Sequence, residues 1–102
     1  MACPVAWSPE ALEDVESIAE YISRDSPAYA RAVVAKIVAA TRDLPRFQYT
    51  GRIIPEVSDP SLRERFVYSY RLIYRVKDSE ILIVAVIHGA RLFESLSDRF
   101  VA

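Results

Sequence analysis

The chain has 102 residues, 52% apolar and 26% charged, which suffices for one core in one domain, 1–102, and excludes a disordered chain. Its longest wholly apolar run, Ile81 to Ile87, is far too short to cross a bilayer. The net charge of −1 conceals a polarity: residues 1–25 carry a balance of −5 and the remainder +4, an asymmetry that points to an anionic partner or to an acidic helix face beside an ordinary sheet.

The N-terminus offers no basic n-region followed by a long apolar stretch, so a cytoplasmic location without membrane attachment is expected. Cys3 is the single cysteine and cannot close an internal disulfide. One Cys and one His are a poor donor set, so no metal or cofactor is expected.

Cys3 to Trp7 is a short strand candidate. Ser8-Pro9 then supplies an N-cap and a proline at the first helical position, with acids at Glu10, Glu13 and Asp14 near the positive end of the helix dipole. Ala11, Leu12, Val15, Ile18, Ala19 and Ile22 form the apolar stripe of this helix. Near Arg24-Asp25 it ends, and Ser26-Pro27 repeats the same device to open a second helix with a stripe of Ala30, Val33, Val34, Ile37, Thr41 and Leu44. So short a connection predicts an antiparallel helical hairpin, both stripes facing one partner. Leu44-Pro45 closes it, and Ile53-Ile54 predicts a short edge strand limited by Pro55.

Leu62 to Arg91 predicts three consecutive strands, rich in β-branched and aromatic residues and divided by Lys77-Asp78-Ser79-Glu80. With Asp78 and Ser79 as turn residues, Lys77 faces Glu80, Arg75 faces Leu82, Ile73 faces Val84, Arg71 faces Val86 and Ser69 faces His88. Tyr70, Leu72, Tyr74, Val76, Ile81, Ile83, Ala85 and Ile87 then form the apolar face beneath the helices. Arg71, Ile73, Arg75, Leu82, Val84, Val86 and His88 form the second face, half apolar and half cationic. Arg63 and Arg65 join it if a three-residue loop sets Val67 opposite Arg71, which also turns Phe66 inward. Leu92 to Phe100 predicts one or two terminal helical turns. The fold class is therefore α+β, a strand and helical hairpin on a mainly antiparallel sheet.

Five segments in order carry a resemblance: Trp7-Ser8-Pro9-Glu10-Ala11, Gly51-Arg52-Ile53-Ile54-Pro55-Glu56, Leu62-Arg63-Glu64, Tyr70-Arg71-Leu72-Ile73-Tyr74-Arg75-Val76 and His88-Gly89-Ala90-Arg91. Together they resemble the ParE/RelE toxin family of type II toxin-antitoxin systems, often plasmid-borne. The resemblance implies a cognate antitoxin and one of two activities: inhibition of DNA gyrase by binding, as in ParE-like members, or cleavage of messenger RNA on the ribosome, as in RelE-like members. A family member without toxicity is a further alternative.

A metal-free ribonuclease needs an acid-base pair and a cation for the phosphorane. If that chemistry is present, the resemblance implies Arg71, with Arg91 an approximate match near the C-terminus, and His88 is a further acid-base candidate. The C-terminal tyrosine of RelE-like toxins is missing, since no tyrosine follows Tyr74, and this favours the gyrase-binding branch, with no catalytic residue. The expected surface for antitoxin or target comprises Arg63, Arg65, Arg71, Ile73, Arg75, Leu82, Val84, Val86 and Arg91. Direct DNA binding by the toxin alone is not expected of a chain so near neutrality. Tyr70 and Tyr74 are expected in the core, Gly51 and Gly89 in turns, and Glu56 exposed in a loop.

Overall fold

Ser8 and Ser26 open two helices as their contexts predict. The structure, a computed structural model, describes residues 4–46, 51–55, 57, 59–78, 80–89 and 99. Helix α1 spans Pro9–Ser23 and α2 spans Pro27–Asp43, each with proline in its first turn. The Ser8 hydroxyl accepts the Ala11 N–H and the Ser26 hydroxyl the Tyr29 N–H, both at 3.1 Å, satisfying backbone donors that a helix start leaves open.

Five strands, β1 (Val5–Trp7), β2 (Arg52–Ile53), β3 (Leu62–Val67), β4 (Tyr70–Lys77) and β5 (Glu80–His88), form one sheet in the order β1-β5-β4-β3-β2. β1 runs parallel to β5 and the other pairs are antiparallel. The α+β, two-layer architecture is the one expected. On the helical side, Ala11, Val33, Ile37 and Leu44 pack on Leu72, Tyr74, Val76, Ile81, Ile83 and Val86. Each large side chain buried there contributes roughly 1.5–3 kcal/mol. Leu12, expected in the stripe, is exposed. Among the described residues no helix is long and apolar enough to cross a membrane.

Two registers differ from those predicted, each by one residue. The β3–β4 loop has two residues, Tyr68 and Ser69, so Val67 faces Tyr70 and Phe66 faces Arg71. Tyr68 takes a φ of 54° to close it. Arg63 and Arg65 therefore sit opposite Tyr74 and Leu72 on the helical side, while Glu64 and the exposed Phe66 take the places predicted for them. The second difference is a β-bulge. Pairing follows expectation from Lys77↔Glu80 to Tyr74↔Ile83, then Ile73 faces Ala85, Arg71 faces Ile87 and Tyr70 faces His88. Val84 is the extra residue, and beyond it β5 inverts its faces.

The bulge lies where β1 stops. Ser8 donates its N–H to the Ile83 carbonyl (3.0 Å) and its hydroxyl to the Val84 carbonyl (3.3 Å), and Asp14 accepts the Val86 N–H at 3.0 Å. Side chains thus serve the strand edge that β1 leaves uncovered. The second sheet face is not bare either. Ile54, Leu62, Ile73, Val84, Ala85 and Ile87 form a second buried cluster, with Val57 packed against it. The edge strand falls one residue earlier than predicted, and Ile54 turns into this cluster instead of pairing. Cys3, Glu56, Arg91 and, apart from Arg99, the predicted turns over Leu92 to Phe100 lie outside the described residues.

Gly51 fixes where the connector docks. Its N–H donates to the buried Tyr74 hydroxyl at 3.1 Å, and a Cβ there would lie 2.5 Å from that oxygen and 2.6 Å from the Glu64 carbonyl. Gly51→Ala is expected to lower stability by about 1–3 kcal/mol in urea titration. Adding Tyr74→Phe should recover only part of the loss, because the Glu64 carbonyl stays in place.

Candidate interaction site

The second face of the sheet is organised by one carboxylate. Glu64 on β3 has a side chain with 0% exposure, and Arg71, beside it on β4, is itself only 6% exposed. Arg71 brings Nε to Glu64 Oε1 at 2.6 Å and Nη2 to the same oxygen at 2.5 Å. Arg52 on β2 pairs through Nε with the other oxygen, Oε2, while remaining 60% exposed. Its guanidinium also lies over the Phe66 ring, 5.6 Å from the centroid. Three strands thus meet at one buried anion held by two cations.

Further along the face, Arg75 donates through Nη1 to Asp59 Oδ2 (3.2 Å) and to the Ser61 hydroxyl (2.9 Å). The Ser61 amide, then its hydroxyl, and then Arg75 hold the Asp59 carboxyl below its ordinary value of 3.8. A cleft of about 610 Å3 opens here, lined by Ser8, Glu10, Arg75, Lys77, Leu82, Val84 and Arg99 among others. At its end Arg99 makes a two-point pair with Asp14, Nη1 to Oδ2 at 2.7 Å and Nη2 to Oδ1 at 3.3 Å.

The expected surface is therefore divided. Arg71, Ile73, Arg75, Leu82 and Val84 share the second face as predicted. Ile73 and Val84 are buried, however, and of the three apolar residues expected to project from that face only Leu82 is exposed. Val86 turns to the helical side because the bulge precedes it. Arg63 reaches back to the carbonyls of Pro60 (3.0 Å) and Gly51 (3.2 Å). Arg65 faces α2, beside Lys36 and Asp43. Arg91 lies outside the described residues.

His88 does not meet Arg71. It is exposed on the helical side, its ring edge-on to Tyr70 at 5.8 Å and 85°. Among the described residues no three His, Cys, Asp or Glu side chains gather to hold a metal ion. Arg52, Asp59, Glu64 and Arg99 were not among the site residues expected from sequence, although Arg52 and Glu64 fall in two of the segments that carry the resemblance. For Glu64 a signal existed: it alternates with Leu62 and Phe66, so an acid had to share a strand face with two large apolar residues.

The family model described as the ParE toxin of the type II toxin-antitoxin system, parDE, matches residues 5–93 of this chain. The chain is 33% identical over 89 residues to Toxin RelE2 of Caulobacter vibrioides, covering 86% of this chain and 97% of that protein. Its fold is similar to a structure of the chromosomal ParDE system from P. aeruginosa, with a TM-score of 0.71 and 24% identity over 85% of this chain and 96% of that one. It is also similar to a YoeB dimer structure from Staphylococcus aureus, with a TM-score of 0.60 and 20% identity over 86% of this chain and 98% of that one.

Removing one partner of a buried ion pair leaves the other uncompensated, so Arg71→Ala is expected to destabilise the chain by about 3–5 kcal/mol. The sequence alone places Arg71 on the binding surface, where its loss would weaken antitoxin binding and leave the fold intact. Arg52→Ala, at the exposed end of the same network, should cost less, about 1–3 kcal/mol, because one oxygen of the buried Glu64 loses its cation while Arg71 keeps the other. Urea midpoints of the two variants check the contrast, and equal losses would contradict it.

Proposed function

Because the chain belongs to the family of ParE toxins of type II toxin-antitoxin systems, we propose that it acts in the cytoplasm by binding and inhibiting DNA gyrase, and that a cognate antitoxin holds it inactive. What supports a binding role over a catalytic one is the separation of Arg71 from His88. A nuclease needs its cation and its acid-base group within reach of one phosphate. Here Arg71 is buried against Glu64, and His88 stands across the sheet beside Tyr70. The two side chains lie on opposite faces of the sheet, an arrangement that argues against their sharing one phosphate.

The second reading is a RelE-like endoribonuclease, favoured by the 33% identity to a protein named Toxin RelE2. Induced expression separates the two. Gyrase inhibition is expected to give filamentous arrest with DNA-damage signalling while translation continues. Immediate loss of translation, with cuts on ribosome-bound message that vanish in His88→Ala, would assign the ribonuclease instead.

The antitoxin's place in this reading is the cleft around Leu82. Its lining mixes Arg75, Lys77 and Arg99 with Glu10, Asp59 and Glu80, Arg75 being paired with Asp59 and Arg99 with Asp14, and Leu82 supplies exposed apolar surface among them. An antitoxin segment with an apolar anchor for Leu82 and a carboxylate for Lys77 or Arg75 fits this lining. Leu82→Asp is expected to weaken antitoxin binding about ten-fold or more, measured by titration calorimetry, with the fold intact. Unchanged affinity would move the antitoxin elsewhere.

A further inference from the structure

Of the four arginines on β3 and β4, Arg63, Arg71 and Arg75 each reach an acceptor, a carbonyl or a carboxylate. Arg65 does not. It sits on the helical side opposite Leu72, and its Nη1 has no solvent contact and no hydrogen-bond partner among the described residues. A guanidinium donor taken out of water without an acceptor is unfavourable, because nothing offsets its desolvation.

Arg65 stands at the wall of a pocket of about 190 Å3 between α2 and the end of β3, lined by Lys36, Ala40 and Asp43 on the helix and by Phe66 and Tyr68 beyond Arg65 on the strand and its loop. The three helix residues recur at the spacing of one helical stripe. Lys36 is exposed and forms no ion pair among the described residues. Asp43 shares the pocket but comes within ion-pairing distance of neither cation. Two cations and one acid leave a positive charge in excess.

The rim is aromatic. Phe66 is 53% exposed and Tyr68 55%. Tyr68 takes its left-handed φ of 54° beside Tyr29 of α2, whose ring packs on it at 6.3 Å. A tyrosine in that region is strained, and strain of this kind persists where the surroundings hold it and clusters at binding sites.

An oxyanion answers the unpaired donor, and the pocket narrows which one. Its volume admits one small group and no nucleotide. The planar fork of a guanidinium matches the two oxygens of a carboxylate. Asp43 repels a dianion more than a monoanion, since repulsion scales with the charge of the ligand. The exposed rings offer apolar contact to a chain that carries the carboxylate.

We propose that Arg65 and Lys36 form a binding site for a single carboxylate, the side chain of an aspartate or glutamate in a bound polypeptide, whose neighbouring residues rest on Phe66 and Tyr68. On binding, the Arg65 guanidinium turns out of its sealed position to pair with both oxygens, and Lys36 supplies the second cation. The site lies on the helical side of the sheet, apart from the cleft around Leu82, and does not depend on whether the chain acts on gyrase or on message.

The test uses the full chain and three variants, Arg65→Met, Lys36→Met and Asp43→Asn. Lys36 and Asp43 are exposed, so the fold should survive in those two. The probe is glutamate capped at both ends, with capped glutamine as control at constant ionic strength, and binding is read by NMR from the amide resonances of Phe66 and Tyr68. Wild type is expected to bind capped glutamate with a Kd of about 1–10 mM and to ignore capped glutamine. Arg65→Met should abolish the response, Lys36→Met should weaken it about ten-fold, and Asp43→Asn should strengthen it about three-fold. Arg65→Met should also keep or raise the melting temperature, because it removes an unpaired buried donor. No response in wild type, or an equal response to capped glutamine, overturns the proposal. Acetate bound as tightly as capped glutamate overturns the polypeptide source, and tighter binding of inorganic phosphate overturns the carboxylate by giving the site to a phosphoryl group. A lowered melting temperature in Arg65→Met overturns it by giving Arg65 a structural partner, and an equal loss in Asp43→Asn identifies that partner as Asp43.

Discussion

A carboxylate with no solvent contact sits in the sheet of this small protein, and the outer half of the fold depends on it. Burying a lone charge costs several kcal/mol even after relaxation. Glu64 escapes that cost because Arg71 takes one oxygen and Arg52 the other. The three residues come from β4, β2 and β3, so the pairing is also a joint between strands. Arg52 reaches it because β2 is held in place by its pairing with β3, by Ile54 in the second cluster and by Gly51 under the Tyr74 hydroxyl. The last of these links the helical core to the ion pair. The ion pair in turn fixes the face on which Arg75, Asp59 and Leu82 are displayed.

The charge polarity noticed in the sequence thereby acquires a geometry. Its acidic part is largely the exposed side of α1, while the cleft mixes Arg75, Lys77 and Arg99 with Glu10, Asp59 and Glu80. A surface that mixes both signs in fixed positions selects partners by register, and it discriminates between them by repulsion as much as by attraction.

Helix starts, the hairpin, the order of elements and the β4–β5 turn were legible because each carries a local chemical mark: Ser-Pro at two helix starts, 3.6-residue stripes, Asp-Ser between alternating strands. Two one-residue shifts were not. The β3–β4 turn uses Tyr68 where glycine or asparagine would have announced it. The bulge at Val84 has no glycine or proline, and its cause is remote: β1 ends at Trp7, and Ser8 and Asp14 then take up the backbone groups of β5. A period of two turns a one-residue error into a change of face. Thus Val86 and His88 left the surface predicted for them, Arg63 and Arg65 never joined it, and Glu64 entered it.

The place of β1 has a consequence for how the protein is made. Ser8 and Val84 are 76 residues apart, and Asp14 and Arg99 are 85 apart. Among the described residues the first strand closes onto the last, so a ribosome must deliver the chain through β5 before the β1 edge can pair. The β3–β4–β5 meander, whose contacts are local, can form earlier at small entropic cost. The parallel β1–β5 pairing is then the late and slow step, and α1, continuous with β1 through Ser8, finds its final seat with it. A chain stalled before Ile81 lacks the strand that receives its own N-terminus, so fragments left by aborted synthesis cannot complete the fold.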